Sequence, residues 1–316
     1  MKEIGGYLEL DNFSNSAYYP DAIRLNTARN ALVYLVRAKN ISKVYLPYYL
    51  CSSVCDVCVR EGIDHEFYHV DKAFMPVLDV ALKDSEYVYI VNHYGQLKED
   101  QIRACQGRYK NIILDNVQAF FTQPIEGVDT IYSCRKFFGV PDGAYLISDA
   151  APLPLETDVS FERARHILGR YDCEVASEYY GDFKKNEEVF DALPLMYMSR
   201  LTHNLLGAVN YARVIEAREK NWQALHACLG SKNKLSLDMP KAPYMYPLWV
   251  EDGVYIRKKL AEQKIYIPTL WPNVADSEAN EAEKEYAQNI LPLPIDQRYT
   301  PEDMKRMGDA VQLYLK

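Results

Sequence analysis

The stretch Asn111-Ile112-Ile113-Leu114-Asp115-Asn116-Val117-Gln118-Ala119 decides how this 316-residue chain is read. The apolar run ending in Asp115 has the form of a buried parallel strand that delivers a carboxylate at its C-terminal end. Ligands of open α/β sheets sit at that end. Further along, Ser133-Cys134-Arg135-Lys136-Phe137-Phe138-Gly139-Val140-Pro141-Asp142-Gly143 lies between the apolar runs 130–132 and 144–147, so Lys136 falls on a connection between two strands. Connections carry chemistry more often than cores do. An Asp after a strand often serves as a helix cap, and a lone Lys is usually solvated. Both together at this spacing, with the Pro-Asp-Gly turn behind the lysine, favour chemistry over structure.

One cofactor needs these groups together: pyridoxal 5′-phosphate (PLP). A lysine amine can hold its aldehyde as a Schiff base, a carboxylate can keep its pyridine nitrogen protonated, and a hydroxyl three residues before the lysine can reach its phosphate. Lys136, Asp115 and Ser133 are the candidates.

Composition agrees with an enzyme of this size. The chain is 48% hydrophobic, enough for substantial cores, and long enough for two domains. A formal charge of −8 argues against general affinity for nucleic acid or anionic membrane, so an anionic ligand must be met by local basic residues. Met1 to Leu10 lacks a long apolar core and no later window has the length of a membrane span, which predicts a cytoplasmic protein. Seven cysteines without paired spacing fit a reducing compartment. Cys51, Cys55 and Cys58 fall at i, i+4 and i+7, as three thiolates of a zinc site could, but no CxxC pair repeats and no histidine stands at ligand spacing beside them. No metal is expected.

The first half alternates strand and helix signals, as an α/β protein does. Helices are expected over 28–39, 50–61 and 101–107, and strands over 43–46 (ended by Pro47), 65–70 and 86–91. With the Asp115 strand and the lysine segment they predict a mostly parallel, helix-covered sheet. Beyond residue 159, 161–170 and 201–229 have helical periodicity. The remaining signals are a strand over 244–250, a helix over 253–263, a strand over 264–268 and a final amphipathic helix over 301–315. The expected division is a large α/β domain over 1–200 and a connecting helix with a small α+β domain over 201–316.

These residues also carry a family resemblance. The chain resembles the DegT/StrS-type nucleotide-sugar aminotransferases of the aspartate aminotransferase-like fold (fold type I) from about Leu25 to its C-terminus. Its landmarks are Leu25-Asn26-Thr27-Ala28-Arg29-Asn30-Ala31-Leu32, Leu46-Pro47-Tyr48-Tyr49, His93-Tyr94-Gly95-Gln96, the Asp115 and Lys136 segments, and Leu291-Pro292-Leu293-Pro294. The resemblance implies that Thr27, Ala28 and Arg29, at a helix N-terminus, help bind the cofactor phosphate, in keeping with the free N–H groups and positive dipole end found there. A plain Thr N-cap followed by a solvated Arg fits the same residues. Gln118 matches a position whose side chain approaches the cofactor's ring hydroxyl, where an amide can donate to a phenolate oxygen. The Pro47 segment corresponds to the one that stacks a side chain over the pyridine ring. Cys51 stands where many relatives place an aromatic, and Tyr49 can substitute.

Two departures stand out. Ser133 lies three residues before the lysine, whereas the family commonly spaces its serine by five. In Met196-Tyr197-Met198-Ser199-Arg200, which matches a segment reaching into the neighbouring subunit's site, Arg200 is kept but Met198 takes the place of an asparagine.

The activity implied is amine transfer from an amino acid, glutamate first among them, to a nucleotide-linked keto sugar, by a homodimer. Lys136 and Asp115 are its catalytic residues, and Arg298 and Arg135 are candidates for the donor carboxylate, each equally readable as a structural arginine. His93 reads as a structural histidine. A sugar dehydratase and a PLP-binding but non-catalytic homologue remain as alternatives.

Overall fold

A computed structural model describes residues 4–13 and 16–315, so Met1 to Glu3 of the N-terminal stretch lie outside the described residues. Strand β1 (Ile23–Leu25) leads into helix α1 (Ala28–Lys39), and β2 (Lys43–Pro47) into α2 (Ser52–Glu61). Then come β3 (Asp64–Val70), the short β4 (Pro76–Val77), β5 (Glu86–Val91), α3 (Glu99–Tyr109), β6 (Ile112–Asp115), β7 (Asp129–Ser133) and β8 (Ala144–Ile147). Local sequence explains the punctuation. Thr27 caps α1 by accepting the Asn30 N–H at 3.2 Å, and Gly62 ends α2 at φ 65°, a conformation glycine takes without penalty.

These strands form one sheet in the order β1-β8-β7-β6-β5-β2-β3-β4. Strands β7, β6, β5, β2 and β3 run parallel, and β8, β1 and β4 each pair antiparallel. The central parallel strands β2, β5 and β6 are apolar on both faces. Tyr45, Val88, Ile90, Ile112 and Leu114 enter one core, while Val44, Leu46, Tyr89, Val91 and Ile113 enter the other, against α1 and α2. That two-sided alternation is what a helix-covered sheet requires. It also places Asp115 on the Ile113 face, beside Tyr89.

The chain continues with α4 (Arg165–Cys173), α5 (Tyr180–Ala192), α6 (Arg200–Gly207) and α7 (Tyr211–Leu229). The stretch expected as one helical run over 201–229 is two helices. Asn210 starts the second by accepting the Arg213 N–H at 3.1 Å. Next come β9 (Met245–Trp249), α8 (Gly253–Glu262), α9 (Glu281–Asn289), β10 (Ile290–Pro294) and α10 (Pro301–Gln312). Strands β9 and β10 form a separate two-stranded sheet, with Trp222, Leu225, Ile256, Leu260, Met307 and Val311 packed around it.

The strand expected over 264–268 is absent. Lys264 sits at φ 60° and the Ile265 N–H closes α8 on the Leu260 carbonyl at 2.9 Å, so the segment is committed to a helix end and β9 pairs with β10 instead. The three cysteines diverge: Cys51 is the N-cap of α2 and packs on one core, while Cys58 is buried in the other with Cys55 beside it. Among the described residues no group of three His, Cys, Asp or Glu side chains gathers as a metal site would need. No helix among them is long and apolar enough to cross a membrane.

Candidate functional site

The C-terminal ends of β6 and β7 and the N-terminus of α1 bring the chemistry together. Asp115 is buried at the end of β6. One carboxylate oxygen accepts the Val117 N–H at 2.8 Å and the other accepts the Tyr89 hydroxyl at 2.7 Å. Burial pushes its pKa up, and the nearby Lys136 ammonium and these two donors pull it back only in part. The site therefore holds a carboxyl that gains from a cationic partner.

Gln118 is buried three residues on. Its Oε1 accepts the N–H of Tyr94, a residue held at φ 56°, at 2.7 Å, while its Nε2 is buried with no acceptor among the described residues. His93 donates from Nε2 to the Tyr49 carbonyl at 2.9 Å, and burial lowers its pKa to about 4, so it is neutral at ordinary pH. The Tyr49 ring is fully buried, stacked with His93 at 4.9 Å, edged by Trp271 at 4.5 Å and bonded through its hydroxyl to Tyr94 at 3.1 Å. It is packed as a core aromatic.

Ser133 ends β7, buried, and Lys136 follows, half-buried, with its ammonium 5.6 Å from the centre of the Tyr244 ring. The lysine connection is held from behind. Buried Asp142 accepts the Ser199 N–H at 2.8 Å, the Ser199 hydroxyl at 2.7 Å and the Thr202 hydroxyl, fixing the Pro-Asp-Gly turn to the start of α6. Gly143, at φ 116°, donates to the Asn26 carbonyl at 2.6 Å, which ties the lysine loop to the entry of α1.

At that entry Thr27 caps Asn30, so the Ala28 and Arg29 N–H groups have no intrahelical acceptor. The Arg29 side chain turns to Asp191 of α5. Arg135 is paired with Glu187 and lies 4.2 Å from the centre of the Phe190 ring. Arg298 is held by Asp296 in a two-pronged pair at 2.6 and 2.8 Å. Arg200 is exposed at the first position of α6, and Met198 is buried. Thus Asp115, Gln118, Ser133, Lys136, Thr27 and Ala28 gather at the strand ends and α1 N-terminus. Three of the arginines are neutralised within the chain.

Sequence reasoning passed over Tyr89, Asp142 and Tyr244. Asp142 stood in plain view in the turn behind the lysine. Tyr89 carried a signal in retrospect, a hydroxyl in the apolar stretch 88–91 of the strand that pairs with the Asp115 strand.

No protein-family model matches the sequence, and no curated protein matches it. Solved structures do. A DegT DnrJ EryC1 StrS aminotransferase from Brucella abortus superposes with a TM-score of 0.64 at 14% identity, over 93% of this chain and 86% of that one. The chain has the fold of the sugar aminotransferases. The PLP form of Spr1654 from Streptococcus pneumoniae gives a TM-score of 0.62 at 14% identity, over 94% of this chain and 88% of its own. DesI, solved in the presence of its TDP-sugar product, gives 0.62 at 14% identity over 92% and 80%. The sugar-aminotransferase fold thus runs nearly end to end through this chain.

Proposed function

We propose that this chain is a PLP-dependent aminotransferase that moves an amino group from an amino acid, with glutamate the first donor to test, to a nucleotide-linked keto sugar. One observation carries the reading. Within a few residues of β6 lie a buried carboxyl with a raised pKa and a buried amide N–H without an acceptor, and the carboxyl feels the Lys136 ammonium. A pyridinium nitrogen and a ring phenolate oxygen are the complements of the first two, and an aldehyde is the complement of the third.

These residues fit the cofactor. Asp115 would hold the ring nitrogen protonated, Gln118 Nε2 would donate to the phenolate, and Ser133 with the Ala28 and Arg29 N–H groups would hold the phosphate. Bound there, PLP supplies an electron sink for the bond broken at the donor α-carbon. Lys136 would hold the cofactor aldehyde, and its free amine would move the proton at the donor α-carbon. His93, neutral and engaged with Tyr49, is not a proton carrier at ordinary pH. Support for the sugar acceptor comes from the TDP-sugar product of DesI. A cytoplasmic homodimer, with Arg200 directed to the second copy, and a division near residue 200 belong to the same reading.

The closed arginines favour a second reading. Arg29, Arg135 and Arg298 each already face a carboxylate, which suits a PLP-binding homologue without turnover.

The test is visible absorbance of the protein with added PLP before and after borohydride, with mass spectrometry on the reduced protein and Lys136→Ala alongside. A reduced adduct on Lys136, absent from the variant, followed by amine transfer to a keto sugar, supports the first reading. An adduct without turnover on any donor supports the second, and no adduct overturns both.

A further inference from the structure

Arg218, on α7, is 1% exposed, yet no carboxylate among the described residues lies within hydrogen-bonding distance of it. Its Nε donates to Gln297 Oε1 at 2.9 Å, and one Nη donates to the Pro243 and Tyr244 carbonyls at 3.0 and 3.1 Å. The guanidinium lies 4.6 Å from the centre of the Phe137 ring. Gln297 in turn donates from Nε2 to the Phe137 carbonyl at 2.8 Å. Burial drives the Arg218 pKa down to about 10, so the side chain remains charged, and the nearest help is Asp296, already paired with Arg298. A buried cation used on three oxygens and a ring face is costly unless the groups it holds matter. Those groups are the residue next to Lys136 and the backbone of Tyr244, whose ring faces the Lys136 ammonium; the rings of Phe137 and Tyr244 also touch, 5.5 Å between centres.

We infer that Arg218 is a positioning residue for Lys136. Through Phe137 and Gln297 it fixes the lysine loop, and through the Tyr244 carbonyl it fixes the aromatic face on which the Lys136 ammonium rests. A ring face attracts an ammonium, so the position of Tyr244 helps set where the Lys136 side chain stands and how readily it is reached. The fork geometry is needed, because an ammonium at position 218 cannot serve Gln297 and both carbonyls in the fixed plane a guanidinium provides.

The inference rests on Lys136 being the cofactor's lysine, but its test does not need the cofactor. Competitive acetic anhydride labelling of the cofactor-free chain, read on the Lys136 peptide by mass spectrometry against the other lysines, gives the reactivity of that amine. Tyr244→Leu is expected to raise it about threefold. Tyr244→Phe keeps the ring and leaves it unchanged. Arg218→Lys keeps the charge and loses the fork, and follows Tyr244→Leu; Gln297→Leu, which cuts the same link, changes the labelling in the same direction if Arg218→Lys does not fold. Wild-type labelling in Tyr244→Leu, or in folded Arg218→Lys and Gln297→Leu, overturns the inference. A wild-type chain that forms no PLP adduct while these labelling shifts persist sinks the aminotransferase reading and leaves the Arg218 coupling standing.

Discussion

Tyr89 donates its hydroxyl to Asp115 at 2.7 Å from the neighbouring strand, both side chains buried on the face that packs against α1 and α2. The bond holds the carboxyl in place and pulls its pKa down, but burial outweighs it and the pKa of Asp115 stays raised.

Asp115→Asn separates holding from charge. An amide at this position can accept the Val117 N–H and donate to the Tyr89 oxygen, so the fold survives. Because the folded carboxyl binds its proton more tightly than the unfolded one, it favours the folded state fully at acid pH, and that advantage fades as pH rises through its folded pKa. Urea unfolding of cofactor-free protein from pH 4 to 8 is expected to show the stability of the wild type relative to the variant declining as pH rises. Equilibrium titration with PLP should show binding weakened roughly tenfold or more, since the ring nitrogen loses its buried partner.

Gln118→Glu keeps an acceptor for the Tyr94 N–H and removes the unsatisfied donor. Because burial penalises the ionised carboxylate, the cofactor-free variant should lose stability relative to wild type as pH rises, and PLP binding should fall roughly tenfold because an acceptor then meets the phenolate. Gln118→Leu leaves the strained Tyr94 N–H unpaired and should cost about 1–3 kcal/mol in urea unfolding.

His93 works in the opposite sense to Asp115. Its folded pKa of about 4 lies below the ordinary histidine value of 6.5, so its neutral form stabilises the fold fully above pH 6.5 and the contribution is lost as pH falls towards 4. Over that span the loss is roughly 3 kcal/mol. His93→Gln should flatten the acid limb of a stability profile measured by denaturant unfolding and leave the reactivity of Lys136 in the labelling experiment unchanged.

The turn behind the lysine offers a steric test. A Cβ at Gly143 would lie 2.9 Å from Thr202 Cγ2 and 3.3 Å from Cys134 Cβ, on a backbone at φ 116°. Gly143→Ala is expected to lower stability by about 2 kcal/mol or more. Asp142→Ala, which strips the donors of Ser199 and Thr202 at the start of α6 of their acceptor, should match or exceed that loss, and both should broaden the visible band of bound PLP as the lysine loop loosens.

The recurring apolar runs and the carboxylate and lysine at their ends were enough to place Asp115 on a strand terminus and Lys136 on a connection. In the structure they stand at the end of β6 and beyond β7. Helix α1 was readable from Thr27 and the apolar spacing behind it. Other elements were not. The expected strand at 264–268 had β-forming residues but no partner, because β10 takes the free edge of β9, and pairing across the chain outweighs local preference. The helix expected across 201–229 missed the Asn210 cap, a one-residue signal inside an otherwise periodic run.

By itself, the sequence determined the alternation of the main strands and helices from α1 to β8, the two-faced apolar pattern of the central strands, and which residue types stand at their ends, since periodicity and capping are properties of neighbours along the chain. Only the tertiary structure decided which charges are spent and which are free. Arg29 meets Asp191, Arg135 meets Glu187, and Arg218 reaches Gln297 and the Tyr244 carbonyl, contacts between residues far apart in the chain. Whether a buried cation serves a ligand or its own fold depends on such contacts, because burial removes water as the alternative partner and leaves only what packing brings within reach.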